Sequence, residues 1–414
     1  MVLALFTSTF MCVVSQTLIP YSKPFWTGEE VAAVTDVIQS GWWTTGPKVQ
    51  QFENALASKL GASGAVCVSN GTMALWAVLH LLKPPSSRPL YVTSALNFVA
   101  GPACANMLGY EVAFADIHPD TLNLDPRSLE QVLLKIRPHH SEIIINPVHF
   151  SGIPVDMDRI ASIASQYGAL LVEDSCHALH STFPDGRKTG NHAASKAGVF
   201  SFHPTKNLAT GEGGAIVSDD DQWLQRVRLY CNHNMRRSNF MRPELAYDHR
   251  GEQNSWYYEV QEPGLNLRMS ELSAVLGLCQ LKRLDASLAR RAELAQQYRD
   301  AMVDLEEVII YPMDQHVSTA LHLFVVGLDL VRLGRSRAEV FDFFFHRGIQ
   351  LQVHYTPLHW QPAFAGLPFV RGSRFPHVDR IAPTLVSLPL YYGLTDEEQN
   401  RVVAALRQLC GRSA

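Results

Sequence analysis

Four short segments bring together residue types that can do chemistry. Ser69-Asn70-Gly71-Thr72 stands where an apolar run gives way to a helical pattern. Glycine there lets a backbone approach a ligand closely, and a helix start offers free N–H groups to a phosphate. A capped strand-to-helix turn has the same composition. Val172-Glu173-Asp174-Ser175-Cys176-His177 ends a β-branched run with an acidic pair, suited to binding metal, exchanging protons, pairing with a positive ring nitrogen, or capping the next helix. Phe200-Ser201-Phe202-His203-Pro204-Thr205-Lys206-Asn207 places a lysine just past another apolar run. Lysine normally sits in solvent, but desolvation or neighbouring cations lower its pKa and make it a nucleophile toward carbonyl groups. Thr210-Gly211-Glu212-Gly213-Gly214 follows; its glycines make a turn, or keep side chains clear of a flat ligand. Together these form a phosphate-cradling turn, an acid for a ring nitrogen, a Ser-and-Lys strand end and a glycine-rich turn. That set suits pyridoxal 5′-phosphate.

The elements that must position these residues alternate regularly. Apolar runs at Ala65–Ser69, Leu90–Thr93, Glu111–Ala115, Glu142–Val148, Ala169–Glu173, Gly198–Phe202 and Gly214–Val217 predict seven strands. Helical patterns intervene at Met73–Leu82, Val99–Leu108 and Asp156–Tyr167. Such alternation implies a mainly parallel sheet covered on both faces, with ligands at the carboxyl ends of its strands. Beyond about residue 262 the texture changes. One long helix is predicted from Ser270, its N-cap, to Met302, followed by a strand Leu321–Val326, a helix Arg337–Arg347, a strand Gln350–His354 and a final helix from Thr395. The expected layout is an extension over 1–18, a large α/β domain over 19–262 and a smaller α+β domain over 263–414.

The ordered run from Glu173-Asp174 through His177 and Phe200–Asn207 to Gly211-Glu212-Gly213-Gly214-Ala215-Ile216 resembles the DegT/DnrJ/StrS family of sugar-nucleotide aminotransferases. The likeness extends from Ile19-Pro20-Tyr21-Ser22 to Ser387-Leu388-Pro389-Leu390. It implies the type I aminotransferase fold, a pyridoxal phosphate cofactor and a homodimer with shared active sites. Lys206 matches the lysine that binds the cofactor covalently, and Asp174 the carboxylate paired with its pyridine nitrogen. Phe98 occupies the place of the stacking aromatic, His177 a further ring contact, and Gly71, Thr72 and Ser201 the phosphate site. Asn70 stands where many members have Ser. Asn266 resembles the residue that reaches the phosphate from the partner subunit, though Leu265 and Leu267 replace the usual flanking aromatics. The resemblance further implies transfer of an amino group from glutamate to a keto sugar nucleotide. A dehydratase branch has histidine in place of Lys206, and a desulfurase would want a cysteine on a mobile loop. Trp256–Gln261, Pro147–Gly152 and Gln352–His359 resemble most the UDP-4-amino-4,6-dideoxy-N-acetyl-β-L-altrosamine transaminases of pseudaminic acid synthesis, with Tyr257, His354 and Tyr355 as polar tips of a sugar-binding wall.

Composition narrows the classes independently. The chain has 414 residues, 18% charged, with a net charge of −4 and no basic stripe, which argues against disorder and against a nucleic-acid partner. The low charge fraction suits a large interior and a buried subunit interface. Seven scattered cysteines lack the paired spacing of a zinc site and predict free thiols of a reducing, cytoplasmic compartment. No metal is expected. Met1–Thr17 is apolar and carries no Lys or Arg; it fits a secretory signal poorly and is expected to be an extension. No membrane span is predicted.

Overall fold

The computed structural model describes residues 18–83, 88–136, 142–311 and 318–413; the expected extension up to residue 17, with Cys12, lies outside them. Seven strands, β1 (Gly64–Val68), β2 (Leu90–Ser94), β3 (Glu111–Ala115), β4 (Ile143–Ile145), β5 (Leu170–Asp174), β6 (Ser195–Ser201) and β7 (Gly214–Ser218), form one sheet in the order β1-β7-β6-β5-β4-β2-β3. β2 to β6 run parallel to their neighbours, and only β7 is reversed, antiparallel to both β1 and β6. The near-continuous apolar composition of these strands follows from burial on both faces. Alternation sorts their side chains: Val66 and Val68 of β1 enter one core cluster while Ala65 and Cys67 enter another.

Seven helices of this part cover the sheet or flank it: α1 (Gly28–Ser40), α2 (Pro47–Leu60), α3 (Gly71–Leu82), α4 (Ala100–Met107), α5 (Pro126–Ile136), α6 (Met157–Tyr167) and α7 (Asp221–Tyr230). Their starts are locally encoded. Thr27 and Glu30 form a capping box at α1, while Asp156 and Asp220 accept N–H groups at α6 and α7. After α7 a two-stranded ribbon, β8 (Met235–Arg236) with β9 (Glu259–Val260), stands apart from the main sheet.

The C-terminal part is built on a three-stranded antiparallel sheet, β10 (Val308–Ile310), β11 (Phe324–Leu328) and β12 (Leu385–Leu388), in that order. Its core gathers Leu294, Tyr298, Phe324, Phe344 and Leu406, and Ile19 from the start of the chain joins it. The final helix is Asp396–Leu409, with Thr395 and Glu398 as its capping box. Among the described residues no helix is long and apolar enough to cross a membrane.

Several elements differ from the sequence expectation. The helix from Ser270 is two helices, Glu271–Lys282 and Leu284–Met302, which meet at Arg283 (φ −100°, ψ 1°). No glycine or proline marks the break; Arg283 is held there by Glu29 and Glu30 of α1. The first of the two helices packs Ala274 against Phe52 and Leu56, and buried Glu271 accepts the N–H groups of Lys48 (2.6 Å) and Val49 (3.0 Å) at the start of α2. The second carries Leu294 and Tyr298 into the other core. Gln350–His354 is no strand, since Gln352 makes a single bridge to Ser387. Leu321 takes a left-handed φ of 45°, so β11 begins only at Phe324.

One buried carboxylate fixes the loop beside β5 and β6. Glu173 is fully buried and accepts hydrogen bonds from His149 Nε2 (3.0 Å), Gly190 N (2.7 Å) and His192 N (2.9 Å). His149 Nδ1 accepts the Val155 N–H at 3.1 Å, which places the ring hydrogen on Nε2, facing Glu173. The loop can approach because Gly198 has no side chain: a Cβ there would lie 2.2 Å from the Gly190 carbonyl oxygen. Burial works to raise the Glu173 pKa, but the His149 bond and the two backbone N–H groups bring it below the ordinary value. Replacing Glu173 by Ala orphans three buried donors and is expected to cost about 3–5 kcal/mol, read as a lowered denaturation midpoint at pH 7. Because the folded carboxyl titrates below its unfolded value of about 4.3, its contribution is fully present above that pH. It is lost as pH falls through the folded pKa, so the gap between wild type and variant should narrow in acid.

Candidate active site

Most of the candidate residues converge where β5, β6 and α3 meet, at the carboxyl ends of the parallel strands. β5 and β6 pair in parallel with Asp174 opposite Val199, and β6 ends at Ser201 opposite Gly214 of β7. Successive residues of a strand point to opposite faces, so Glu173 and Asp174 part company. Glu173 serves the Gly190 loop, while Asp174, buried at 6% exposure, turns to the other side and accepts the Cys176 N–H at 3.1 Å.

Two glycines let α3 start against the strand ends. A Cβ on Gly71 would sit 2.8 Å from Ser201 Cβ, and one on Gly214 would sit 2.5 Å from the Asn70 carbonyl carbon. The Asn70 side chain caps α3 by accepting the Met73 N–H at 2.9 Å. The capped-turn reading of this segment is therefore realised, and the backbone N–H groups of Gly71 and Thr72 stay on the helix end that faces Ser201. Helix polarity makes this the electropositive end.

Lys206 follows on the turn after β6, its own N–H bonded to His203 O at 2.8 Å. Its Nζ lies 3.4 Å from His322 Nε2. The His322 ring lies 4.5 Å, centroid to centroid, from that of His177, whose Nε2 meets the Tyr355 hydroxyl at 2.8 Å. Tyr355 in turn touches Phe98, ring centroids 5.5 Å apart, and His354 bonds Ser387 Oγ through Nδ1 at 2.8 Å. The fold thus gathers Asp174, His177, Ser201, Lys206, His354 and Tyr355 with the Asn70–Thr72 turn. Phe98 forms an outer wall, 51% exposed.

The electrostatics are those of a desolvated, weakly charged pocket. Burial lowers the Lys206 pKa, opposed by the negative charge of Asp174. Burial and the neighbouring lysine hold His177 and His322 well below the ordinary imidazole value, and bring His354 down to about 3. Burial pushes the Tyr355 hydroxyl and the Cys176 thiol well up, so both keep their protons. His177 Nδ1 and His322 Nδ1 are buried without a hydrogen-bond partner among the described residues.

Two predicted residues are not brought to this cluster. Tyr257 belongs to the ribbon segment, where its hydroxyl donates to Glu259 Oε1 (3.0 Å) and its ring lies 5.2 Å from that of Phe240. Asn266 is exposed and bridges Asn232. Sequence reasoning missed His322 and Arg291. The only signal for His322 was a polar residue inside an apolar run. Arg291 gave none beyond its place in a helical pattern.

Similarity to known proteins agrees with this geometry. Residues 25–407 match the model of the DegT/DnrJ/EryC1/StrS aminotransferase family. The chain is 35% identical over 392 residues to the spore coat polysaccharide biosynthesis protein SpsC of Bacillus subtilis, covering 94% of this chain and 97% of that one. It superposes on Helicobacter pylori PseC, an aminotransferase involved in the biosynthesis of pseudoaminic acid, with a TM-score of 0.85 and 25% identity, covering 95% of this chain and all (100%) of that one. DesI, solved in the presence of its TDP-sugar product, gives a TM-score of 0.81 and 27% identity over 97% of this chain and 94% of its own. The architecture is the type I aminotransferase fold, and the chain belongs to the DegT/DnrJ/EryC1/StrS aminotransferase family as a sugar aminotransferase.

Proposed function

We propose that the protein uses pyridoxal 5′-phosphate to move an amino group from glutamate to a 4-keto-6-deoxy sugar carried on a nucleotide, of the UDP-linked kind used in pseudaminic acid and related amino-sugar synthesis. The observation that carries this reading is the desolvated Lys206 amine, set between Asp174 and the junction of α3 with Ser201. The residues present fit the cofactor. A glycine whose Cβ would collide with Ser201 leaves backbone N–H groups and a hydroxyl for a phosphate, and His177 Nδ1 is a buried polar atom with no partner. Phe98 supplies an exposed flat ring at the pocket wall.

When bound, pyridoxal phosphate supplies an electron sink conjugated to the amino-bearing carbon. The chain's own residues do the rest. Asp174 accepts a hydrogen bond from a protonated ring nitrogen and favours its charge. Gly71, Thr72 and Ser201 hold the phosphate, with Asn70 fixing the turn. Lys206 Nζ, uncharged, would take the proton from the donor's α-carbon and return it to the carbon on the far side of the intervening nitrogen, as general base and then acid. His354 and Tyr355 face the keto sugar as polar groups that keep their neutral forms across the working pH range.

The reading includes a homodimer with shared active sites. Trp42, Trp43, Trp256 and Met241 are more than half exposed, an apolar display that a second copy would cover. In that arrangement Asn266 and Tyr257 serve the partner's pocket. The described cysteines are all unpaired, which suits the cytoplasm.

A panel of 4-keto nucleotide sugars incubated with enzyme and glutamate should show one member gaining an amine by mass, with 2-oxoglutarate formed. Amination of free ketones alone would remove the nucleotide-sugar assignment. Lys206→Ala should abolish the visible cofactor band and slow amino transfer by about 10²–10⁴-fold. Sedimentation should give a dimer, and a stable monomer would refute the shared site.

A further inference from the structure

His322 sits on a turn that the fold constrains from four sides. Its N–H donates to Ser151 O at 2.9 Å, and Ala320 N donates to Ser181 Oγ at 2.8 Å. Arg291 Nη1 donates to the carbonyls of Leu321 (3.3 Å), His322 (3.4 Å) and Leu390 (2.9 Å), and Asn207, next to Lys206, donates to Ala320 O. Leu321 and Ser151 both adopt positive φ, 45° and 59°, a region that L side chains avoid unless the surroundings impose it. The two turns meet across Gly152, where a Cβ would lie 2.8 Å from Leu321 N and 2.9 Å from His177 O. All of this delivers one imidazole, 4% exposed, to 3.4 Å from the Lys206 amine.

We propose that His322 is a positioning residue for Lys206: it accepts the amine's hydrogen bond on an uncharged ring, so the amine is held in place without being held charged. The proposal rests on the reading of Lys206 as the amine that meets the cofactor. A carboxylate at this distance would also accept the bond, but its charge would stabilise the ammonium form and raise the lysine pKa. A neutral imidazole gives direction without that field. Its neutrality is secured by everything packed around it. Arg291, a buried guanidinium with no carboxylate partner among the described residues, bonds the turn from behind; His177 lies in front, with Tyr355 on its Nε2, and His354, from the segment after β11, adds a further imidazole that Tyr21 and Tyr355 flank. Asp174 is the carboxylate that bears on Lys206, and Cys176 beside it keeps its proton. Protonating His322, itself buried, would add a cation beside Lys206 and Arg291. The bond from Nζ uses the tautomer with hydrogen on Nδ1, an assignment from the contact rather than an observed hydrogen.

The test is the titration of Lys206 in the full-length protein freed of cofactor, read as its rate of carbamylation by cyanate against pH, with the modified peptide identified by mass. Wild type should show a midpoint below the ordinary lysine value of about 10.4. His322→Glu should raise the midpoint by a unit or more, slowing modification at pH 8 about tenfold. His322→Gln, a neutral acceptor, should keep the wild-type midpoint. In the reconstituted enzyme, His322→Leu should lower kcat by roughly 3–10-fold, the worth of one hydrogen bond, with KM for the sugar substrate little changed, and Gln should restore part of it. A folded His322→Glu protein with the wild-type midpoint would overturn the proposal. If that variant fails to fold by circular dichroism, equal kcat values for the Leu and Gln variants would overturn it instead. Failure of wild type to take up pyridoxal phosphate at Lys206 would sink the cofactor reading while leaving the titration result standing.

Discussion

The structure is organised around the cost of drawing an amine partly out of water. A lysine withdrawn from water loses its hydration, and only an opposite charge or proton loss relieves the penalty. Here Lys206 sits on the turn after β6, where Asp174 offers partial compensation, while the remaining neighbours are imidazoles, the Cys176 thiol and hydroxyls that stay neutral. The balance favours a nucleophilic, uncharged amine more than any exposed lysine could be. Each feature of the surroundings can be traced to keeping that balance. Among the described residues no carboxylate hydrogen-bonds the amine, and the three nearby histidines are all driven below their ordinary pKa by burial and by the lysine itself.

Holding these groups in register demands close backbone approach, and that is where the glycines are spent. Gly71 and Gly214 let a helix start touch two strand ends; Gly152 lets the His177 and His322 turns meet; Gly198 lets the Gly190 loop lie across β6. The loop is then tied by Glu173, one residue before Asp174. Strand alternation makes the pair do two jobs: Glu173, on one face of β5, fixes scaffold, and Asp174, on the other, faces the Lys206 cluster. Mutating the scaffold acid would thus disturb stability first and the pocket only through it.

Much of this was legible in the sequence, for physical reasons that differ by element. The seven strands were legible because two-sided burial writes nearly continuous apolar runs, and the ends at Asp174 and Ser201 fell within a residue of those expected. Ser270 was legible as a cap, and Thr395 as the start of the last helix, because their hydroxyls satisfy backbone donors locally. The break at Arg283 was not, since it depends on Glu29 and Glu30, more than two hundred residues away in sequence. β10 and β12 were missed because short strands of a small sheet carry little pattern. His322 was invisible for a related reason: nothing local distinguishes a histidine in an apolar run, and its meaning comes from Ser151, Arg291 and Lys206 arriving from three other parts of the chain. The motif residues could be recognised one by one, whereas the neutral, desolvated character of their pocket is a property of the fold.

The central claim is that this half-buried amine, and no other lysine, is where pyridoxal phosphate attaches. Reducing the holoenzyme with borohydride and mapping the pyridoxyl mass by peptide sequencing tests it directly. The account predicts the label on Lys206 alone, lost in Lys206→Ala. Labelling of another lysine, or none with the cofactor present in excess, would contradict it.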